Sequence, residues 1–341
     1  MSQLYYAVLT GRALQLASVA NLPDWAVAFD SPHINWTAPP FPDAVLEPLL
    51  LPYNQSSGTL GAHNYSASSG VDTARYWPIN HFSRVPLDPT IDEFFWDTDL
   101  TTQPEGHADV PYVMFASNRG RTYRLWENRY HRTVLRQWGM RASDAFRCGF
   151  HFLLRPNQAT QAAMAAMAAR MSQTETLKIG IHIRVGDGVF KGGAKDPSLQ
   201  DYQHFFDCAQ QIEDERRAPK ESVIWYLISD SPALRRQALE KWPRKVLTDT
   251  DAEPVHVDCQ RFPQRGCGSI DAAFRTAVAE LMTFSSADYH VVTHDSGFGM
   301  LGAWLSEGER HIYSVRRGVH RNCGRWNYDP LDKMATTWAG I

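Results

Sequence analysis

Leu177-Lys-Ile-Gly-Ile-His-Ile183 runs straight into Arg184-Val-Gly-Asp187, and this stretch decides the fold. Seven residues with five apolar or glycine positions read as a strand buried on both faces, as in a parallel sheet. The segments around it have the matching rhythm. Val223-Ile-Trp-Tyr-Leu-Ile228, Lys245-Val-Leu-Thr248, Tyr289-His-Val-Val-Thr293 and Arg310-His-Ile-Tyr-Ser-Val315 read as further strands. Helical stretches at 199–215, 231–241, 269–286 and 299–306 separate them. Strand-helix alternation of this kind implies an α/β fold with helices on both faces of a parallel sheet.

Upstream of about residue 175 the pattern is less regular. A helix is expected over 4–18, a buried strand at Tyr112-Val-Met-Phe-Ala116, and a turn at Asn118-Arg-Gly120. Helices are expected at 122–138, 142–153 and 158–171, the last on its Ala/Met-rich propensity. Residues 20–110, rich in Pro, Asn, Ser and Asp, read as long surface loops. Their aromatics Trp25, Trp36, Tyr65, Trp77 and Trp96 are an acceptor surface or simple packing.

The chain has 341 residues, enough for two domains, with 43% apolar and 21% charged residues. A net charge of −3 gives no field for nucleic acid or an anionic membrane, and no transmembrane segment is read. The N-terminus lacks the basic start of a signal peptide and reads as a helix from inside a domain, so an upstream segment is expected. None of Cys148, Cys208, Cys259, Cys267 and Cys323 has metal-ligand spacing. Cys259 and Cys267 flank a short loop and read as a local disulfide or as free thiols. Sequons at Asn35, Asn54 and Asn64 lean towards a secretory lumen; about one or two are expected by chance.

Ligands of open parallel sheets bind beyond the carboxyl ends of the strands. Four segments carry polar groups there. Arg184 can grip a phosphate in bidentate fashion, and Gly186 permits a tight turn. Asp187 orients that arginine, accepts a sugar hydroxyl, or acts as a base; the plain alternative is an internal salt bridge. Thr293-His-Asp-Ser-Gly-Phe-Gly299 joins a strand to a helix N-terminus, a natural anion site or simply a capped helix. A carboxylate such as Glu280 can accept both N–H donors of guanine, although a helical glutamate is ordinarily just solvated. Ser229-Asp-Ser-Pro232 reads as a helix N-cap. No G-x-G-x-x-G follows a strand, which argues against a nicotinamide dehydrogenase.

With these residues in view, Ile179-Gly-Ile-His-Ile-Arg-Val-Gly-Asp187 resembles the HxRxxD phosphate motif of the GDP-fucose fucosyltransferase superfamily. Glu280-Leu-Met-Thr-Phe-Ser-Ser-Ala-Asp288, with Ser296-Gly-Phe-Gly299 beyond it, resembles the same superfamily's acidic residue and Ser/Phe loop. Smaller likenesses to plant-type members lie at Leu4–Arg12, Phe29–Trp36, Ser117–Gly120 and Trp338–Ile341. The resemblance implies a GT-B fold of two Rossmann-like domains. Residues 1–172 would form the acceptor-side domain, without its first strand and loop, and residues 173–341 the GDP-sugar domain. It implies fucose transfer from GDP-fucose to a glycan or glycoprotein hydroxyl, inverting and without metal or cofactor, in the Golgi or secretory lumen. The implied donor site is His182, Arg184, Glu280, Asp295, Ser296, Gly297 and Phe298, with Arg184 and Asp187 catalytic. Arg184 would contact the β-phosphate and Glu280 would read guanine. Two departures stand out. The Gly-Asn-Arg loop of plant-type members is missing, and Gly188–Gly193 holds no carboxylate to match the base of the α1,6 type, which leaves Asp187 or Asp196. A non-catalytic GDP-sugar-binding or lectin-like homologue is the alternative.

Overall fold

A computed structural model describes residues 1–16, 23–37, 76–81, 89–103, 109–117, 122–190, 196–219, 221–255, 268–307, 311–331 and 334. The chain divides into two compact units. One comprises Met1–Ala20, Ser31–Leu153 and Asp332–Ile341, the other Asn21–Asp30 and Leu154–Leu331. The division falls before the Ala/Met helix, whereas the sequence reading placed that helix in the first domain. Among the described residues no helix is long and apolar enough to cross a membrane.

The first unit contains helix α1 (Ser2–Thr10), β2 (Tyr76–His81), α2 (Pro89–Trp96), β3 (Tyr112–Ser117), α3 (Arg132–Gln137) and α4 (Ala142–Leu153). Strands β2 and β3 pair in parallel. Helix α1 stops well short of residue 18, because Gly11 takes φ 68° and its N–H caps the last turn. The expected helix over 122–138 is broken in the middle. Asn128 turns inward, where its amide donates to the carbonyls of Phe95 and Thr98 and its oxygen accepts from Tyr130 N–H. The result is a 3₁₀ turn at Thr122–Trp126 followed by α3. Strand β2 and helix α2 fall inside what the sequence marked as loop. The core gathers Tyr5, Tyr6, Phe95, Leu100, Leu125 and Trp126, with Tyr5 edge-on to Trp126.

The second unit follows the alternation closely. Its five-stranded sheet runs β7 (Val246–Leu247), β6 (Ser222–Ser229), β5 (Thr176–Ile183), β8 (Tyr289–Thr293), β9 (His311–Val315), parallel throughout. Ranked by chain position within the sheet, the order is 3-2-1-4-5, which places the topological switch point between β5 and β8. Helices α6 (Gln203–Arg216) and α7 (Pro232–Lys241) share one core with Ile179, Ile181 and Ile183 of β5. On the other face α8 (Ile270–Ser285) sends Phe284 against the strand. A Cβ on Gly180 would sit 2.7 Å from that ring, and one on Gly302 of α9 (Gly297–Trp304) would sit 2.8 Å from it. Two glycines therefore let a helix, a strand and a second helix meet over one aromatic side chain.

Helix α5 (Gln158–Met171) is capped by Asn157, which accepts from Thr160 N–H at 3.0 Å, and it packs along α8. That packing makes it part of this unit. A short antiparallel pair, β1 (Phe29–Asp30) with β4 (Arg155–Pro156), lies beside it. A disulfide joins Cys208 of α6 to Cys323 in the segment after β9. Cys148 is a free, exposed thiol, and Cys259 and Cys267 lie outside the described residues.

Candidate functional site

The carboxyl ends of β5, β6, β8 and β9 form one edge, and four segments meet the solvent there. Ile183 of β5 pairs with Ser229 of β6, so the next residues, Arg184 and Asp230, emerge side by side. Arg184 Nη1 donates to Asp230 Oδ2 at 2.8 Å, while Nη2 donates to Asp187 Oδ1 at 2.6 Å. The two carboxylates are unlike. Asp230 is 7% exposed at its side chain and Asp187 is 57% exposed. Asp230 also accepts from the N–H of Val185 at 2.7 Å and of Gly186 at 3.0 Å. Burial raises the Asp230 carboxyl above its ordinary range, while these two N–H groups and the Arg184 charge pull it back. One buried carboxylate thus fixes both the arginine and the turn that follows it. Gly186 holds φ 111° within that turn, a conformation that favours glycine.

On the other side of the switch point the backbone ladder ends at His182 and Val292. Thr293 then bridges the strands through its hydroxyl, which accepts from Arg184 N–H at 2.9 Å and donates to His182 C=O at 3.1 Å. The chain turns at Asp295, an exposed residue with φ 63°, a strained geometry for a non-glycine residue. Ser296 follows as the N-cap of α9. It is buried, yet its hydroxyl makes no capping bond to the helix. The exposed start of α9 at Gly297 therefore keeps free N–H groups and the positive end of the helix dipole.

Not every expected site residue lies open at this edge. His182 is packed beneath α9, 3% exposed, where a Cβ on Gly299 would sit 2.4 Å from its Nδ1. Burial, with Arg184 and Arg235 adding to it, lowers its pKa to about 3, so the ring is neutral. It supports α9 and presents no face to a ligand. Glu280 also departs from its expected role. It forms a bidentate pair with Arg235, Nη1 to Oε1 and Nη2 to Oε2, and both side chains are buried. Arg235 further donates to the carbonyls of Ser229 and Asp249. Both oxygens of Glu280 accept from Arg235 and the side chain is buried, so it braces the fold in this structure and is not presented at the open edge. Burial raises this carboxyl, against the lowering pull of Arg235.

Asp230, read from the sequence only as part of a helix N-cap, is the residue that the structure adds to this edge. The N-cap reading of its segment holds for its neighbour: Ser231 accepts from Leu234 N–H at 3.3 Å. The signal for Asp230 was its place one residue past a strand adjacent to β5. Asp196 is exposed on the stretch after Gly188–Gly193, and residues 191–195 lie outside the described residues. Of the aromatics offered as an acceptor surface, Trp25 packs with Phe29 and Phe274, and Trp36 is buried with its indole N–H donated to Leu153. Trp96 is exposed, Trp77 lies within β2, and Tyr65 is outside the described residues.

A five-stranded parallel sheet with a switch point, flanked by helices, is a Rossmann-like α/β architecture, and the clamped arginine and the uncapped helix start stand at its carboxyl edge. A comparison with solved structures agrees on the fold. A mutant of Arabidopsis thaliana FUT1 in complex with GDP matches with a TM-score of 0.62 and 16% identity, over 95% of this chain and 67% of that one. The fucosyltransferase NodZ from Bradyrhizobium matches with a TM-score of 0.46 and 13% identity, over 89% and 87%. No protein-family model and no curated protein sequence matches the chain.

Proposed function

We propose that the second unit binds a nucleoside-diphosphate sugar, with the diphosphate held between Arg184 and the start of α9. The observation that carries this reading is the clamp: a half-exposed arginine locked by a buried Asp230, beside a helix N-cap whose hydroxyl is not used on the helix. Charge-assisted donors preorganised at a strand edge suit a diphosphate. The sugar nucleotide is GDP-fucose on this proposal, supported by the HxRxxD resemblance and by the shared fold of a structure whose own ligand is GDP.

The reaction is fucosyl transfer to a glycan or glycoprotein hydroxyl with inversion and without metal. The bond from C1 to the diphosphate oxygen breaks, the acceptor oxygen bonds to C1 from the opposite face, and its proton passes to a carboxylate. Arg184 and the α9 dipole stabilise the departing diphosphate. Asp187 is the leading base, and to serve it must leave Arg184, which its exposure permits. That same ion pair favours the second reading, a GDP-sugar-binding homologue without turnover, because it occupies the carboxylate that would have to take the acceptor proton. The proposed compartment is the Golgi or secretory lumen, supported by the Cys208–Cys323 disulfide and by the exposed sequon at Asn35.

Calorimetric titration with GDP and then ADP tests the donor. Binding of GDP that is lost in Arg184→Ala supports the site, whereas unchanged GDP binding in that variant overturns it. Equal affinity for ADP removes the guanine half of the proposal. A hydrolysis and transfer assay with GDP-fucose then separates enzyme from binder. Loss of Arg184 should lower turnover roughly 10²–10³-fold.

A further inference from the structure

The donor-site reading uses the ends of β5 and β8, but the end of β9 also reaches this edge. Its first residue past the strand is Arg316, exposed, with no ion pair among the described residues. Its Nη2 lies 3.1 Å from His294 Nε2, and His294 Nδ1 lies 2.7 Å from Ser314 Oγ. A guanidinium only donates, so Nε2 accepts and the ring proton sits on Nδ1, donated to Ser314. His294 thereby holds Arg316 through a ring nitrogen and not through a carboxylate. Asp295 Oδ1 stands 3.2 Å from the same Nε2, on the strained turn that leads into α9.

Compare the other strand-end arginines of this unit. Arg184 is met by two carboxylates, and Arg321, further along the loop after β9, is neutralised by Asp329 at 2.7 Å. Arg316 rests on an imidazole nitrogen instead. The strand order places β5 and β9 on either side of β8, whose exit leads into α9. Arg184 and Arg316 therefore flank the start of α9, about 10 Å apart at two strand spacings. An exposed cation, held in place but not neutralised, is what a site for a dianion requires on its second side.

We propose that Arg316 is a second diphosphate contact, positioned by the Ser314–His294 relay and released from His294 when a phosphate oxygen replaces the ring nitrogen. The inference rests on the donor-site reading and adds to it the far wall of the anion pocket. It also gives His294 a positioning role.

The test compares GDP with guanosine by calorimetry on the whole chain, in the Arg316→Ala, Arg316→Gln and Arg184→Ala variants. Arg325→Ala serves as a control of equal charge change, since that exposed residue lies beside Trp326 on the segment that the disulfide ties to α6. The two Arg316 variants should bind GDP roughly 10–100-fold more weakly, with guanosine binding and melting temperature as in the wild type. Arg325→Ala should bind GDP normally. If both Arg316 variants bind GDP as tightly as the wild type while Arg184→Ala does not, the inference is wrong and the donor site stands. If Arg184→Ala also binds normally, the donor site falls with it. Equal losses for GDP and guanosine, or an equal loss in Arg325→Ala, would show a general effect and overturn the contact. His294→Ala should weaken GDP by a smaller factor than Arg316→Ala; a larger factor would make His294 the contact and Arg316 its support.

Discussion

Two arginines stand at the ends of neighbouring elements and differ in one respect. Arg235 is 2% exposed, with Glu280 and the carbonyls of Ser229 and Asp249 around it. Arg184 is 32% exposed, with one buried carboxylate behind it and one exposed carboxylate in front. The first pair is closed: any ligand would have to break a desolvated bidentate bridge. The second is open on one side, because its contact with Asp187 is solvent-accessible and on the proposed function a phosphate takes that place. Burial of the partner, more than the presence of an Arg–carboxylate pair, separates an internal brace from a binding group.

The largest effect should come from the closed pair. Arg235→Met leaves Glu280 buried without its cation and should destabilise the fold by about 3–5 kcal/mol. The double change Arg235→Met with Glu280→Leu should recover much of that loss. Urea denaturation measures both, and a single variant no less stable than Arg184→Ala would break the comparison. Next is Asp230→Asn. It removes a buried charge that holds Arg184 and accepts two backbone N–H groups, and should cost about 1–3 kcal/mol. GDP affinity should fall with it. A variant that melts lower but binds GDP normally would make Asp230 a turn-former only.

Acid sharpens the contrast between buried and open groups in the same way. His182 and His290 are both buried neutral, with pKa values lowered by burial to about 3 and about 4. A depressed folded pKa contributes stability that is complete above the unfolded value near 6.5 and is lost as pH falls towards the folded value. Each should therefore remove about 1.4 kcal/mol per pH unit below roughly pH 6. His290→Gln, which keeps a donor for the Phe284 carbonyl, should flatten the melting temperature between pH 7 and pH 5. An unchanged slope would mean that His290 takes up no proton on unfolding in this range.

The contrast also explains what was legible beforehand. Strands of the second unit announce themselves because both faces are buried, and the Arg184 and Ser296 segments follow from the strand-end rule. What could not be read were partnerships across the fold. Asp230 looked like part of a cap until the register set it opposite Arg184. Glu280 looked like a candidate ligand group until Arg235, 45 positions earlier in the chain, filled both its oxygens. The Cys208–Cys323 bridge spans 115 positions, beyond what spacing can show. In the first unit the long helix over 122–138 failed for the same reason, since Asn128 serves carbonyls about 30 positions away.

The smallest expected effect falls on Asp187, and its smallness is the point. The residue is exposed and its bridge to Arg184 is solvent-screened, so Asp187→Asn should change stability by less than about 1 kcal/mol. Its effect on GDP should be opposite in sign to that of Arg184→Ala. A carboxylate that covers Nη2 competes with the phosphate for it, and removing its charge frees the donor. GDP should bind equally well or tighter in Asp187→Asn, while transfer, if Asp187 takes the acceptor proton, should collapse. Tighter binding with intact transfer would keep Asp187 as a displaceable cover for Arg184 and move the base elsewhere. Weaker binding would mean that Asp187 orients Arg184 as Asp230 does, and the distinction between the open and the closed side of this arginine would be lost.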